Sequence, residues 1–109
     1  MTTIWKYEIE PDIINQIIKM PAGALVLSFG LDAKRNLCCW VKVDDSAPLE
    51  DHLVACVGTG WGMDHIFEAI NRYACFIGSV TRGDYVWHLI DLGAGPALES
   101  DEVGTLSGK

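Results

Sequence analysis

The segment ALVLSFGLDAKRNLCCWVKVD, residues 24–44, decides the fold class of this chain. Two apolar runs, residues 24–32 and 37–44, meet at a polar stretch that contains Asp, Lys, Arg and Asn. Apolar runs of this length that are separated by a few turn-forming residues are typical of a β-hairpin. The sequence therefore predicts two antiparallel strands in the first half of the chain.

Further strands are predicted on both sides of this hairpin. Residues 3–10 alternate between an aromatic face with Trp5 and Tyr7 and a polar face with Lys6 and Glu8, which is the period of a strand. The other predicted strands cover residues 53–58, 74–80 and 85–92, and a turn at residues 81–84 joins the last two. Because hairpins can connect most neighbours, we expect a mainly antiparallel sheet that folds as a small sandwich or a partly open barrel.

The helices are less well defined than the strands. Residues 12–20 either form a short helix with isoleucines on one face, or a strand that ends at the turn Pro-Ala-Gly, residues 21–23. Residues 65–73 carry apolar side chains at helical spacing and follow Asp64, a suitable N-cap. We therefore expect one or two short helices, with an α+β fold as the alternative. Residues 44–52 are predicted to form an acidic surface loop.

Composition limits the class of protein. The 109 residues fit one domain, and no apolar run reaches the roughly 18 residues that cross a bilayer. The formal net charge of −7 argues against binding to a nucleic-acid backbone, which needs a basic surface. The first ten residues lack the features of a signal peptide, so we expect a cytoplasmic location.

The cysteines and histidines do not show the spacing of a metal site. Cys38 and Cys39 are adjacent and would point to opposite faces of a strand, and the chain has no CxxC or HxxxH motif. We therefore expect buried, reduced thiols, no metal and no cofactor. The chain also lacks an acyl-transfer motif such as GxSxG, which leaves a small hydrolase or transferase as the last alternative.

The stretch VGTGWGMDHI, residues 57–66, is the candidate binding loop. Its glycines lie between a predicted strand and a predicted helix, as in phosphate-binding loops. However, it lacks the Walker lysine and the GxGxxG spacing, and Asp64 would repel an anion. We therefore predict a turn that presents Trp61, whose ring either covers an edge of the core or is exposed to a partner. The candidate ligand- or partner-binding residues are Gly58, Thr59, Gly60, Trp61, Gly62, Arg72 and Arg82.

The order of several short motifs resembles a family of small phage and prophage proteins of unknown function. The motifs are TIWKYEI, MPAGALVLSF, LCCWVKVD, GTG, FIGSV and YVWHLID, and together they span residues 3–91. The segment WGMDHIFEAINRYAC is longer than the short link of that family, and the chain continues beyond Leu92. The resemblance implies a phage or prophage origin and an intracellular accessory role, and it implies no catalytic residues.

These observations predict a non-enzymatic binding protein that acts inside a bacterial cell and inhibits a host protein, such as a component of a defence system. The alternative is an oligomeric sponge for a small nucleotide signal, in which several subunits contribute their glycine loops. An apolar fraction of 50% in a short chain with strand edges to cover also predicts self-association, with a homodimer as the first expectation. We expect no direct contact with nucleic acid or with a membrane.

The first testable prediction concerns the end of the chain. Residues 1–92 are expected to form the globular domain and residues 93–109 a flexible tail, because the tail has too few large apolar side chains to offset the entropy of ordering. Removing the tail should change the melting temperature by no more than a few degrees, measured by circular dichroism. A large drop would show that the tail packs on the domain or on a second subunit.

Overall fold

The structure is a computed structural model that describes residues 1–64 and 74–94. Within these residues the chain forms seven β-strands. They are β1 (Thr2–Glu8), β2 (Asn15–Pro21), β3 (Leu25–Leu31), β4 (Leu37–Asp44), β5 (Leu49–Gly58), β6 (Cys75–Arg82) and β7 (Tyr85–Ala94). One sheet has the order β1-β4-β3 and the other has the order β2-β5-β7-β6. All neighbours are antiparallel, which confirms the predicted mainly β fold, in its sandwich form and not as a closed barrel.

The hairpin predicted from residues 24–44 is formed by β3 and β4. The side chain of Asp32 holds its turn, because one carboxylate oxygen accepts the backbone N–H groups of Lys34 and Asn36, each at 2.9 Å. The other oxygen accepts the Lys6 ammonium of β1 at 3.0 Å. The backbone N–H of Asn36, followed by Lys6, lowers the pKa of Asp32 from 3.8 to about 2. Asp32 therefore ties the turn to the neighbouring strand.

The alternation predicted for the first strand is also present. Tyr7 packs against the core, whereas Lys6 and Glu8 are exposed on the opposite face. Trp5 lies on the inner side, opposite Val41, but keeps 39% of its surface exposed. Its partial exposure follows from the position of β1 at the edge of its sheet.

The short helix considered for residues 12–20 is wrong, and the strand alternative is confirmed. β2 pairs with β5, and the strand period separates two isoleucines that a helix would have grouped. Ile18 packs against the core between the sheets, and Ile17 packs on the opposite face of the sheet. Both side chains are partly buried in this strand, which suits β-branched residues, whose preference for a helix is weak. The helix predicted at residues 65–73 lies outside the described residues.

The acidic loop predicted at residues 44–52 is partly wrong, because β5 already begins at Leu49. Within this stretch Asp51 lies opposite Lys19 of β2, and the two side chains form an ion pair. A cross-strand pair of opposite charges stabilises a sheet. The acidic residues that indicated a loop are therefore compatible with a strand.

Apolar side chains form two clusters, one on each face of the four-stranded sheet. The inter-sheet core includes Met20, Leu37, Cys39, Val41, Val43, Val54, Cys56, Trp87 and Leu89. The outer cluster contains Leu53, Ala55, Val57, Ile90 and Leu92. Because side chains alternate along a strand, β5 and β7 contribute to both clusters.

The cysteine thiols are free, and three of them, Cys38, Cys39 and Cys56, are buried. Burial raises the pKa of Cys39 and of Cys56 to about 12, so both are protonated at neutral pH. Cys38 and Cys39 point to opposite faces, since Cys39 belongs to the inter-sheet core and the Cys38 thiol lies 3.6 Å from the Asp32 carboxylate. The described part of the chain contains no helix that is long and apolar enough to span a bilayer.

The last strand extends beyond the predicted end of the domain at Leu92. Gly93 pairs with Leu53 and Ala94 with His52, so both residues belong to β7. Residues 95–109 lie outside the described residues. The truncation that tests the tail prediction must therefore begin at residue 95, because an earlier cut would also remove strand pairs.

Asp32 generates a prediction about acid stability. Its folded-state pKa of about 2 lies below the ordinary value of 3.8, so its contribution to stability is present above pH ~4 and is lost as the pH falls towards 2. Asp32→Asn should therefore lower the melting temperature at pH 7, and the difference from the wild type should shrink between pH ~4 and pH ~2.

The matched control for this prediction is Asp84→Asn. Asp84 is exposed in the β6–β7 turn, and no hydrogen bond of its carboxylate is found among the described residues. Its substitution should leave the pH dependence of the melting temperature unchanged. If the wild type and Asp32→Asn lose stability in parallel on acidification, Asp32 does not hold the turn in the way described.

Candidate functional site

The candidate site is a pocket of about 440 Å³ at the end of β5, here named the Trp61 pocket. The described residues that line it are Val57, Gly58, Thr59, Gly60, Trp61, Met63, Ala74, Phe76, His88 and Ile90. The pocket thus combines the last residues of β5, the glycine loop and neighbouring parts of β6 and β7. Its lining is mainly apolar and aromatic, with two polar side chains, Thr59 and His88.

Backbone hydrogen bonds give the glycine loop its shape. The Trp61 N–H donates to the Gly58 carbonyl oxygen at 3.1 Å, which closes a tight turn. The Thr59 N–H donates to the Val86 carbonyl oxygen, also at 3.1 Å, and so continues the contact between β5 and β7. Gly60 has a φ of 87°, a conformation that is costly for residues with a Cβ atom. The loop is therefore a turn that brings Trp61 back over the end of β5.

Trp61 packs edge-to-face against Trp87. The ring centroids are 5.4 Å apart and the ring planes are inclined by 87°, an arrangement that aromatic pairs favour. Trp61 nevertheless keeps 42% of its surface exposed and lines the pocket. One part of the ring therefore covers the edge of the core at Trp87, and another part is exposed.

The missing side chain of Gly58 leaves the space that the Trp61 ring occupies. A Cβ atom at Gly58 would lie 2.8 Å from Cε2 and 2.9 Å from Nε1 of Trp61. These distances are too short for carbon–carbon and carbon–nitrogen contacts, so the indole would have to move. The glycine is needed here for space, and not for an unusual backbone angle.

A hydrogen-bonded group of three side chains borders the pocket. The Nε2 atom of His88 lies 2.7 Å from the Thr59 hydroxyl, and its Nδ1 atom lies 2.7 Å from the Ser79 hydroxyl. Thr59 and His88 line the pocket, whereas Ser79 is not among its lining residues. A neutral imidazole has one donor and one acceptor nitrogen, so one hydroxyl must donate to the ring and the other must accept from it.

Sequence reasoning missed this group, because Ser79 lies within the apolar run of residues 74–80 and belongs to no recognised motif. The signal that could have found it was the turn predicted at residues 81–84. Once Arg82 pairs with Tyr85 across that turn, antiparallel register brings Ser79 opposite His88. The contact from Thr59 depends on the neighbouring pair of strands, β5 and β7, and could not be derived from this hairpin alone.

The predicted site residues fall into three groups: residues that line the pocket, residues that lie away from its lining, and one residue outside the described part of the chain. Four of them, Gly58, Thr59, Gly60 and Trp61, are brought together in the pocket. Gly62 does not line it, and Arg72 lies outside the described residues. Arg82 points elsewhere, because its guanidinium donates to the Arg35 carbonyl oxygen at 3.5 Å in the β3–β4 turn.

The described lining of the pocket lacks the positive charge of a phosphate site. No lysine or arginine is found among its described lining residues, and Asp64 follows the loop. Within residues 1–64 and 74–94, no group of His, Cys, Asp and Glu side chains is placed to hold a metal ion. The polar chemistry available in the described lining is that of a hydroxyl, an imidazole and backbone groups.

A second histidine lies away from the pocket, in a buried pair. His52 Nε2 and Asp91 Oδ1 are 2.7 Å apart, and the two residues are only 3% and 5% exposed. The Gly93 N–H donates to the same Asp91 oxygen at 2.9 Å. Because the pair is buried between β5 and β7, its role is to join these strands.

The chain matches a described protein family, DUF7352, a domain of unknown function, over residues 1–97. The chain belongs to the DUF7352 family. No curated protein and no solved structure matches it. The DUF7352 match spans the seven described strands and every described lining residue of the Trp61 pocket, so these residues belong to the family domain.

The contact between Gly58 and Trp61 in this DUF7352 domain gives the next prediction. Gly58→Ala should cost about 1–3 kcal/mol of unfolding free energy, because the new methyl group overlaps the indole. In a Trp61→Ala background the same change should cost less than about 0.5 kcal/mol, because the space is then open. Chemical denaturation followed by circular dichroism measures all four variants of this cycle.

Gly62→Ala is the matched control for Gly58→Ala. A Cβ atom at Gly62 has nothing within 4 Å, so its addition should leave the unfolding free energy unchanged. Equal costs for Gly58→Ala in the presence and absence of Trp61 would contradict the packing described for the loop.

Proposed function

We propose that this DUF7352 domain is a non-enzymatic binding protein and that the Trp61 pocket is its binding site. The observation that carries the proposal is one cavity that is lined by four predicted loop residues, among them the exposed Trp61, and by the exposed Phe76. Its volume of about 440 Å³ lies within the range of ~300–1,000 Å³ that is usual for ligand sites. Trp61 and Phe76, which line it, are 42% and 61% exposed, and large exposed aromatics mark contact surfaces.

The chemistry of the pocket supports binding over catalysis. His88 is hydrogen-bonded to two hydroxyl groups, and no carboxylate is found among the described lining residues. The buried carboxylate that does contact a histidine, Asp91, is 5% exposed and belongs to a pair that joins two strands. The described lining of the pocket therefore does not assemble a nucleophile with a base and an orienting acid, as in hydrolases.

The proposed partner is a protein of a bacterial host cell. The order of motifs that resembles small phage and prophage proteins supports this choice, as does the formal net charge of −7, which favours a basic protein surface over a nucleic acid. In this proposal the domain acts in the cytoplasm of an infected bacterium and inhibits a host protein, such as a defence component. Trp61 supplies the aromatic anchor, a residue type that often dominates binding energy.

A small nucleotide signal is the second candidate ligand, and one observation favours it. The glycine loop and Trp61 line a cavity of ligand size, which an oligomeric sponge would need. A nucleotide phosphate needs positive charge, and Arg82, one of the two candidate arginines, lies at the β3–β4 turn and away from the glycine loop. We therefore rank this candidate below a protein partner.

Affinity capture from bacterial lysate tests the proposed function. Wild-type domain and two tryptophan variants are used as bait, and mass spectrometry identifies bound proteins and heat-released small molecules. Trp61→Ala should reduce specific capture by at least ten-fold, since loss of an aromatic anchor costs roughly 2 kcal/mol or more. Trp5→Ala is the matched control, because Trp5 is 39% exposed but lies on β1, outside the described lining of the pocket.

Each result of this experiment has a defined meaning. Capture that depends on Trp61 and not on Trp5 supports a site at the pocket, and the bound species distinguishes a protein partner from a nucleotide. Release of a chemically altered small molecule would contradict a non-enzymatic function. Capture that is unaffected by Trp61→Ala would place the binding site elsewhere.

A further inference from the structure

We propose that the Trp61 pocket binds an uncharged aromatic ring with a hydrogen-bonding edge, and that the Thr59 hydroxyl makes the polar contact. His88 and Ser79 are positioning residues in this proposal, because they set whether Thr59 donates or accepts. The inference rests on the proposed function, since it takes the pocket as the binding site and adds the chemistry of the group that is bound.

The apolar lining favours a flat ring. Trp61 and Phe76 supply aromatic surface, while Val57, Met63 and Ile90 supply aliphatic surface. Aromatic rings pack on other rings in stacked or edge-to-face geometry, and Trp61 already makes one such contact with Trp87. A ring bound in the pocket would extend this aromatic packing and cover exposed parts of Trp61 and Phe76.

The charges near the pocket favour an uncharged group. The described lining residues include no Lys, Arg, Asp or Glu, so these residues offer a bound ion no ion pair that would offset the loss of its water. An anion would also approach a chain with a formal net charge of −7. A phosphate or carboxylate on the ligand is therefore expected to remain outside the pocket.

The group of Thr59, His88 and Ser79 supplies an adaptable polar contact. Both ring nitrogens of His88 are occupied, at 2.7 Å from Thr59 and from Ser79. If Nε2 carries the hydrogen, His88 donates to Thr59, and the Thr59 hydroxyl can donate to an acceptor on the ligand. If Nδ1 carries the hydrogen, His88 donates to Ser79 and accepts from Thr59, whose oxygen can then accept from a donor on the ligand.

This arrangement accounts for Ser79, a polar residue with no contact of its own to the pocket. Its hydroxyl can donate to Nδ1 or accept from it, so both tautomers of His88 keep two hydrogen bonds. One site can thus recognise a donor or an acceptor on the edge of a ring. Such rings occur in nucleosides and in the tyrosine or tryptophan side chains of a partner protein.

An NMR titration tests the inference with defined probes. The indole N–H signal of Trp61 reports binding, and the ¹⁵N shifts of the two His88 ring nitrogens report its tautomer. The nucleoside arm uses adenosine, guanosine, cytidine and uridine, each beside its 5′-monophosphate. The protein arm uses N-acetyltyrosinamide and N-acetyltryptophanamide beside N-acetylphenylalaninamide, whose ring lacks a polar edge.

We expect saturable binding in one arm, with nucleosides binding more tightly than their monophosphates, or the tyrosine and tryptophan amides more tightly than the phenylalanine amide. The His88 tautomer should shift on binding.

Thr59→Val should weaken binding by about five- to ten-fold, the effect of one hydrogen bond, and Thr59→Ser should restore it. Ser79→Ala should abolish the tautomer shift. Thr81→Val, an exposed threonine of β6, is the control and should change nothing.

Several results would overturn the inference. They are tighter binding of the monophosphates, no effect of Thr59→Val in a folded variant, or an unchanged His88 tautomer. If no probe binds while capture from lysate still depends on Trp61, the ring inference fails and the proposed function stands. If capture is also unaffected by Trp61→Ala, both the ring inference and the proposed function fail.

Discussion

The burial of β5 on both faces is the constraint on which the rest of the structure depends. Val54 and Cys56 point into the inter-sheet core, whereas Leu53, Ala55 and Val57 point into the outer cluster. A strand that is apolar on both sides must be paired along both edges and covered on both faces. β2 and β7 provide the pairing, the three-stranded sheet covers one face, and Ile14, Ile17 and Met63 pack on the other.

The Trp61 pocket follows from the way in which this strand ends. Gly58 is the last residue of β5, and its missing side chain lets the chain turn and return Trp61 across the strand end. The Thr59 N–H remains bonded to Val86 of β7, which holds the Thr59 hydroxyl within reach of His88. The backbone hydrogen bonds of Thr59 and Trp61, together with the missing side chain of Gly58, thus place an aromatic ring, a hydroxyl and an imidazole around one cavity.

A binding role is consistent with how this fold distributes its polar groups. The His52–Asp91 pair lies inside the sheet and is buried, whereas His88 lines the pocket, and the hydrogen bonds of its ring among the described residues go to hydroxyl groups. Folds of this kind host many functions, so the function must be argued from the site. In the proposed binding role, the Trp61 pocket of this DUF7352 domain would contribute its shape, its aromatic surface and the hydrogen bonds of Thr59 and His88.

The sequence by itself determined the local features of this protein. Period-two alternation identified the first strand, the polar turn identified the β3–β4 hairpin, and the glycines after residue 57 indicated a turn. Tertiary structure alone decided that residues 15–21 form a strand, that Arg82 lies away from the loop, and that Thr59 meets His88 and Ser79. The reason is that alternation and turn chemistry depend on adjacent residues. An isoleucine-rich segment becomes a helix or a strand according to which distant surface is available to bury its side chains. Contacts across three strands depend in the same way on how distant parts of the chain pack.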